Sequence, residues 1–244
     1  MKKSPVILLA LSFIFSGGLI YGAHNITEDA VDTVGPDGIP QLIDVIRSTD
    51  PNDDDIRIKA MKRLGELKAK EATDMLIEML QTRRLVMGGK EIYNWKLQVE
   101  AARALGAIGD DRASIYLVEM LRYENDNTVK RAAAQALGDM GEAARKKPVL
   151  DVMYSQLEAA KDQGLASDLC EALGKIGDKS AFVYLLRVTQ GPWLNYVKET
   201  AQKSIAMTKW DKVSVYEDEN ATNSGAGKTS TATATVKNDT NSHK

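Results

Sequence analysis

The sequence contains very few of the side chains on which most enzyme active sites depend. Its 244 residues include two histidines, His24 and His243, and one cysteine, Cys170. Zinc and iron sites need imidazole, thiolate or clustered carboxylate ligands, and a Ser-His or Cys-His nucleophile pair needs a histidine nearby. No phosphate-binding glycine loop occurs in the central part of the chain. We therefore predict that the protein is not an enzyme and has no metal or other cofactor.

Other shortages bear on the fold and on the class of partner. The chain has only 3 Phe and 6 Pro and lacks the alternating apolar pattern of strands, which favours an all-α protein. Its formal net charge of −2 argues against a nucleic-acid partner, because phosphate binding needs a clustered basic surface. The single Cys170 cannot form an intramolecular disulfide. We interpret it as a small core residue, with a reactive thiol as the alternative.

The segment Leu97 to Leu121 has the pattern of two short helices in succession. Apolar residues recur every three or four positions up to Ile108, as on one face of a helix. Gly109 then stops the first helix, and Asp110 is placed to cap the start of the next one. Neither helix can cover its apolar face alone, so such a unit needs neighbours.

Weaker copies of this unit fill much of the chain. Each copy carries a Leu-Gly dipeptide in the same context, and the glycines are Gly65, Gly106, Gly138 and Gly174. Successive glycines are 41, 32 and 36 residues apart, and a fifth copy has Ala206 at this position. Matches at several offsets in five copies indicate a repeat array.

The segments ALGAIGDDRA, ALGDMGEAA and ALGKIGDKSA resemble HEAT repeats, of the short bacterial HEAT-like kind also seen in phycobilisome lyases. The resemblance covers roughly Pro40 to Trp210. It implies a right-handed α-α solenoid of about five helical hairpins that presents a curved surface to a partner. Because HEAT repeats are a scaffold class, this resemblance says little about function.

The ends of the chain differ from the repeats. Residues 1–23 have the basic start, apolar run and small residues of a secretory signal peptide, which predicts a periplasmic or secreted protein. The alternative is an uncleaved anchor in the inner membrane formed by residues 5–20. We expect a linker at 24–37, the HEAT-like repeat domain at 38–210 and a disordered low-complexity tail at 211–244.

An insertion at 82–96 accounts for the longest step between repeats. Gly88-Gly89 could turn a small hairpin there. The insertion has a basic and aromatic character unlike the rest of the chain. Its candidate functional residues are Arg83, Arg84, Lys90, Tyr93 and Trp95. Insertions in repeat arrays often carry function, but the aromatic residues could instead fold back as a lid over the first two repeats.

Family resemblance implies that the second helix of each repeat lines the concave surface. Solvent-facing positions there predict a groove for a protein or peptide. Its candidate partner-binding residues are Asp74, Glu78, Tyr116, Glu119, Arg122, Asp151, Tyr184 and Arg187. Glu78, Glu119 and Asp151 share one offset in three consecutive repeats and would form an acidic row. The alternative is an ordinary solvated helix face.

The sequence thus favours an exported, non-enzymatic protein-binding scaffold that uses the concave face of a HEAT-like solenoid. One alternative is a lyase-like enzyme or chromophore-handling protein, since those chains share this repeat style. The other is a structural spacer anchored in the membrane, which requires the leader to be retained.

Overall fold

The computed structural model describes residues 26–81, 85–87, 90–92 and 94–217. Within these ranges the chain forms ten α-helices and two short β-strands. The helices are α1 (Ile39–Ile46), α2 (Asp54–Glu66), α3 (Thr73–Gln81), α4 (Trp95–Ile108), α5 (Ser114–Tyr123), α6 (Asn127–Met140), α7 (Lys147–Ala159), α8 (Gln163–Ile176), α9 (Phe182–Gln190) and α10 (Asn195–Ala206). The strands are β1 (Leu85–Met87) and β2 (Lys90–Ile92).

Capping residues at the turns determine where the helices begin and end. Gly109 and Gly177 end α4 and α8 with left-handed φ values of 71° and 76°, which glycine adopts without steric cost. Asp110 and Asp178 then accept hydrogen bonds from backbone amides two residues later, at 3.1 and 2.9 Å. These bonds satisfy donors that the start of a helix leaves unpaired. Lys68 occupies the corresponding turn of the first repeat with a φ of 51°.

The helices pack in two rows. The first helices of the repeats, α2, α4, α6, α8 and α10, each contact the next one in the series. The second helices, α3, α5, α7 and α9, form a parallel series of contacts. Each second helix also packs against the first helix of the following repeat, and α1 packs against α2 in the same way. The α1 helix therefore occupies the place of a second helix from a half repeat.

The recurring Leu-Gly dipeptides mark the contacts between successive first helices. The four leucines are buried, and the glycines lie where the next first helix crosses. A Cβ atom on Gly106 or Gly138 would stand 2.7 Å from the Cα of Ala136 or Ala172, respectively. Glycine is therefore required at these positions because two helix backbones approach each other closely. The fifth copy has Ala206 there, and its side chain is exposed.

The insertion contains the hairpin that its glycine pair predicts. Strands β1 and β2 pair antiparallel, with Leu85 opposite Ile92 and Met87 opposite Lys90. These strands are the exception to the helical architecture within the described residues.

The segment before α1 is packed more closely than a linker. Residues Glu28–Thr33 form a 3-10 helix that contacts α2, and Val31 is completely buried. Lys59 pairs with Glu28 at 2.6 Å, and Arg63 donates to the carbonyl of Val34 at 2.9 Å. The predicted linker at 24–37 is thus, over its described part, a cap on the first full repeat.

The two predicted terminal segments lie mostly outside the described residues, which exclude 1–25 and 218–244. The signal peptide and the greater part of the low-complexity tail therefore stay predictions. No helix of the described ranges is both long enough and apolar enough to cross a bilayer. Residues 211–217 belong to the predicted tail but are packed against the last two complete repeats, so the predicted boundary at Asp211 is too early.

Candidate protein-binding face

The exposed sides of α3, α5, α7 and α9 form a continuous surface, called here the second-helix face. Glu78, Glu119 and Asp151 occupy matching positions in three consecutive helices of this row, and all three are exposed. Three carboxylates thus follow one another across adjacent helices. Such an arrangement gives the face a local negative charge that a basic or polar segment would complement.

At the start of the face, Asp74 makes an ion pair with a residue of the next repeat. Its Oδ1 accepts from Arg112 Nη1 at 2.9 Å, and both side chains are largely exposed. Arg112 also binds Asp110, and this hydrogen bond is the main reason why the pKa of Asp110 is lowered to about 2. Exposed ion pairs contribute little stability, so Asp74 can exchange Arg112 for a partner at little cost.

A shallow cavity of about 220 Å³ lies between α3 and α5. Its lining residues are Leu80, Gln81, Tyr116, Glu119, Met120 and Tyr123. The guanidinium of Arg122 lies 5.9 Å from the ring centroid of Tyr123, close enough for a cation–π contact. The predicted residues Tyr116 and Glu119 therefore line this cavity, and the predicted Arg122 contacts the ring of Tyr123, which also lines it. Tyr123 joins them although sequence reasoning did not select it.

The other half of the face is built on a tyrosine pair. The rings of Tyr154 and Tyr184 stack with centroids 4.1 Å apart and planes 7° from parallel. Arg187 lies over the Tyr184 ring at 5.7 Å and makes an ion pair with Glu158. Next to them is a cavity of about 420 Å³ whose wall also includes Trp193. The predicted residues Tyr184 and Arg187 thus border this cavity.

Residues 209–217, called here the C-terminal segment, cover part of this half. Tyr216 donates its hydroxyl proton to Asp151 Oδ1 at 2.6 Å, and its ring lies 6.5 Å from that of Tyr154. Lys147 lies over the same ring, 5.8 Å from its centroid. Asp151 was expected to meet a partner, and in the structure it meets a tyrosine of its own chain.

Asp178 holds the middle of the C-terminal segment. Its carboxylate is completely buried and accepts from Ser214 Oγ at 2.7 Å, from Val215 N at 3.2 Å and from Arg145 Nε at 3.0 Å. Burial alone would raise the pKa of Asp178, but the hydrogen bonds from Ser180, Ser214 and Val215 outweigh it and lower the pKa. This cap residue therefore also ties the end of the chain to the repeats.

The insertion residues are only partly described. Arg83, Arg84 and Tyr93 lie outside the described residues, and only the backbone of Lys90 is described, in β2. Trp95 is the first residue of α4, and 38% of its surface is exposed. Of the aromatic residues expected to form a lid, Trp95 lies within the described residues, and its side chain is not buried.

Sequence reasoning missed the residues whose partners are distant in the chain. Tyr154 holds the same repeat position as the exposed Arg122, but it is buried, because Tyr184, Tyr216 and Ser180 surround its ring and hydroxyl. Tyr216 and Ser214 lay in a segment that composition predicted to be disordered. A signal was available in KVSVYE, which has more apolar bulk than the rest of the tail.

Metal-ligating side chains and the single thiol are the remaining groups that could carry chemistry. Within the described ranges, no cluster of three or more His, Cys, Asp or Glu side chains could hold a metal ion. Cys170 is fully buried in α8, and burial raises the pKa of its thiol to about 12. A thiol with so high a pKa is almost entirely protonated and unreactive at neutral pH, which confirms the interpretation of Cys170 as a core residue.

The likenesses of this chain to known proteins concern the repeats. Residues 91–138 match the family model described as HEAT repeats. A solved structure of the complex of CpcE and CpcF of phycocyanin lyase from Nostoc sp. PCC7120 is similar, with a TM-score of 0.55 and 22% sequence identity. The match covers 81% of this chain and 70% of that chain. No curated protein shows significant sequence similarity. Residues 91–138 thus match HEAT repeats, and the described chain shares its two-row helical fold with the similar solved structure.

Proposed function

We propose that this chain is an exported, non-enzymatic scaffold that binds another protein on its second-helix face. The observation that carries the proposal is the collection of exposed carboxylates and half-buried tyrosines from adjacent second helices, beside two cavities. A row of similar helices offers equivalent side chains at regular intervals, which suits an extended or helical peptide. The partner side chains that such a face would favour are lysine, arginine and hydrogen-bonding or aromatic groups.

The finer parts of the proposal follow the sequence. The rows of helices are taken to form a right-handed solenoid of about five repeats, with the second-helix face on the concave side. Export is proposed from the layout of residues 1–23. Mass spectrometry of the mature N-terminus tests export with cleavage: a chain starting at Ala23 or His24 supports it, whereas a retained Met1 start favours the anchored spacer.

Charge reversal tests whether the second-helix face binds the partner. The double variant Glu78→Lys/Glu119→Lys changes two exposed carboxylates on α3 and α5. The matched control, Glu171→Lys/Glu199→Lys, changes two exposed carboxylates on the first helices α8 and α10. Proteins captured from the native source by the tagged full chain are compared by quantitative mass spectrometry.

The partner should be lost from the first variant by about tenfold and kept by the control, because a like charge placed at the contact repels a basic partner. If both variants capture the partner equally well, the second-helix face is not its site. A partner lost only from the control places the binding site on the first helices.

The lyase-like alternative has a separate test. It rests on a fold shared with a phycocyanin lyase complex, at a sequence identity of 22%. We expect the protein purified from its native source to show no visible absorption. A pigment that copurifies at a fixed ratio to the protein would favour a chromophore-handling function over a scaffold.

A further inference from the structure

The C-terminal segment is held in a way that differs from the rest of the fold. After α10 the chain crosses the turns between helices of repeats four and three and reaches α7 at Tyr216. Its contacts are mainly polar. Lys212 pairs with Glu142 at 2.9 Å, and Arg145 donates to the carbonyl of Val213. Val213 itself is 53% exposed. Val215 and Tyr216 are partly buried against the core, and the Trp210 ring meets that of Phe182 at 5.3 Å between centroids. Most of the other contacts are polar and partly exposed, and segments held in this way are among the first parts of a protein to open.

Four consecutive residues of this segment each meet a defined receiving group. Ser214 donates its hydroxyl proton to Asp178, and the backbone amide of Val215 donates to the same carboxylate. Tyr216 reaches Asp151 and the stacked tyrosines. Glu217 pairs with Lys179 Nζ at 2.8 Å. The receiving groups therefore require a hydroxyl residue, any residue, a tyrosine and an acid, in that order.

The receiving groups are also ordered by contacts that do not involve the C-terminal segment. Asp178 is oriented by Ser180, which donates both its backbone amide, at 2.9 Å, and its hydroxyl, at 2.6 Å. Tyr154 is fixed by a 2.7 Å hydrogen bond between its hydroxyl and that of Ser180 and by its stack on Tyr184. The repeats thus present a preorganised site, and preorganisation lowers the entropic cost of binding a peptide.

We propose that Asp151, Asp178, Lys179 and the stacked Tyr154 and Tyr184 form a binding site for a Ser-x-Tyr-acid peptide of a partner protein, and that Ser214–Glu217 occupies this site in the free chain. The proposal rests on the proposed function, because it assigns a sequence motif to the partner of the same face. A partner peptide displaces the C-terminal segment and takes over its contacts.

A partner peptide must compete with the tethered C-terminal segment for the site, and this competition determines how tightly the peptide must bind. A segment tethered close to its site has an effective concentration on the order of millimolar. The apparent affinity for a peptide added in solution falls in proportion to the fraction of sites that the tethered segment leaves empty. Weakening the tethered segment should therefore strengthen binding of the free peptide, which a simple surface contact would not do.

The test uses the full chain and a labelled peptide with the sequence of residues 211–217, DKVSVYE. Fluorescence anisotropy compares wild-type protein with Ser214→Ala/Tyr216→Ala, in which the tethered segment has lost two of its contacts. We expect the double variant to bind the peptide at least about tenfold more tightly than the wild type. A peptide in which alanine replaces the tyrosine should bind the variant at least about tenfold more weakly.

Three controls make the result decisive. Asp178→Asn added to the double variant should abolish peptide binding, whereas Asp139→Asn, an exposed carboxylate on α6, should not. The single variant Tyr216→Phe, which keeps the ring and loses the hydroxyl, should bind the peptide with intermediate affinity, and it serves if the double variant does not fold. Equal binding by wild type and variant, or no binding by either, overturns the proposal. That outcome would leave the proposed function intact, because capture of a partner through Glu78 and Glu119 is measured in a separate experiment.

Discussion

The first helices α2, α4, α6 and α8 each carry a glycine where the next first helix crosses, and these single residues set the spacing of the row. Beside Gly174 the neighbour is Ser204, whose Cα would lie 2.7 Å from an added Cβ. Contacts with backbone atoms cannot be relieved by a rotamer change. The repeat signature is therefore a packing requirement between neighbouring repeats and not a property of one helix.

We expect Gly138→Ala to lower the free energy of unfolding by about 1–3 kcal/mol. Alanine favours a helix over glycine by about 1 kcal/mol, but the added methyl group forces α6 and α8 apart, and overpacking costs more than that gain. Gly35→Ala is the control, because nothing lies within 4 Å of a Cβ there. Urea unfolding followed by circular dichroism measures both. A Gly138→Ala protein as stable as the wild type would mean that the two helices are not in close contact.

The turn of the first repeat offers the opposite prediction. Lys68 adopts a φ of 51° where later repeats have Gly109, Gly141 and Gly177. A left-handed conformation costs a residue with a Cβ roughly 1–2 kcal/mol. Glycine avoids this cost but lowers stability by about 0.5–1 kcal/mol, because it has more conformational entropy in the unfolded chain. Lys68→Gly should therefore stabilise the protein by up to about 1 kcal/mol in the same urea experiment. Lys70→Gly, in the 3-10 turn that follows, should destabilise it, and equal losses in both would contradict the strain.

At the scale of elements, the C-terminal segment depends on carboxylates whose ionised forms are stabilised. Lys212 is the main reason why the pKa of Glu142 is lowered to about 2, and the pKa values of Asp178 and Glu217 are lowered as well. A lowered pKa means that docking is favoured above the ordinary carboxyl pKa of about 4.5 and weakens as the pH falls towards 2. Acid therefore releases this segment.

We expect the Val215 amide, which donates to Asp178, to lose hydrogen-exchange protection between about pH 4.5 and pH 2, before the helices α6 and α8 do. Glu142→Gln should reduce that protection already at neutral pH, since it removes the charge that Lys212 and Arg145 face. Protection that is unchanged in this variant, or that is lost together with that of α6, would show that the segment is not an independently opening element.

Most of the element boundaries could be predicted because local chemistry determines them. Gly109 ends α4, and Asp110 caps the turn that follows, as their residue types predict. The contacts of the C-terminal segment could not be predicted in this way. Tyr216 and Asp151 are 65 residues apart, and no period or spacing links them. Composition predicted the opposite, because polar contacts do not require apolar bulk.

At the scale of the whole molecule, each repeat stabilises its neighbours until the series ends. Ile77, Val118 and Leu150 hold one position in the second helices and are 9%, 4% and 0% exposed. Leu186 holds the same position in α9 and is 37% exposed. No further second helix follows α9 within the described residues, and Ala206 takes the place of the spacing glycine. The last described repeat is thus a terminal unit, as stacked arrays require.

Among the described residues, the C-terminal segment covers one half of the second-helix face. It returns over repeats four and three and reaches Asp151, and its described contacts do not include α3 or α5. Glu78, Tyr116 and Glu119 lie in the other half. If the proposed function and the proposed peptide site are both correct, binding at these residues and displacement of the C-terminal segment at Asp151 are successive steps of one association.

Site-specific photo-crosslinking in the native cells tests the central claim most directly. A photoreactive amino acid is placed at Glu119, on α5, and in a matched protein at Arg103, an exposed residue on the first helix α4. The account predicts a discrete protein adduct from position 119 and none from position 103. An adduct from position 103 alone, or no protein adduct from position 119, would contradict a scaffold that binds its partner on the second-helix face.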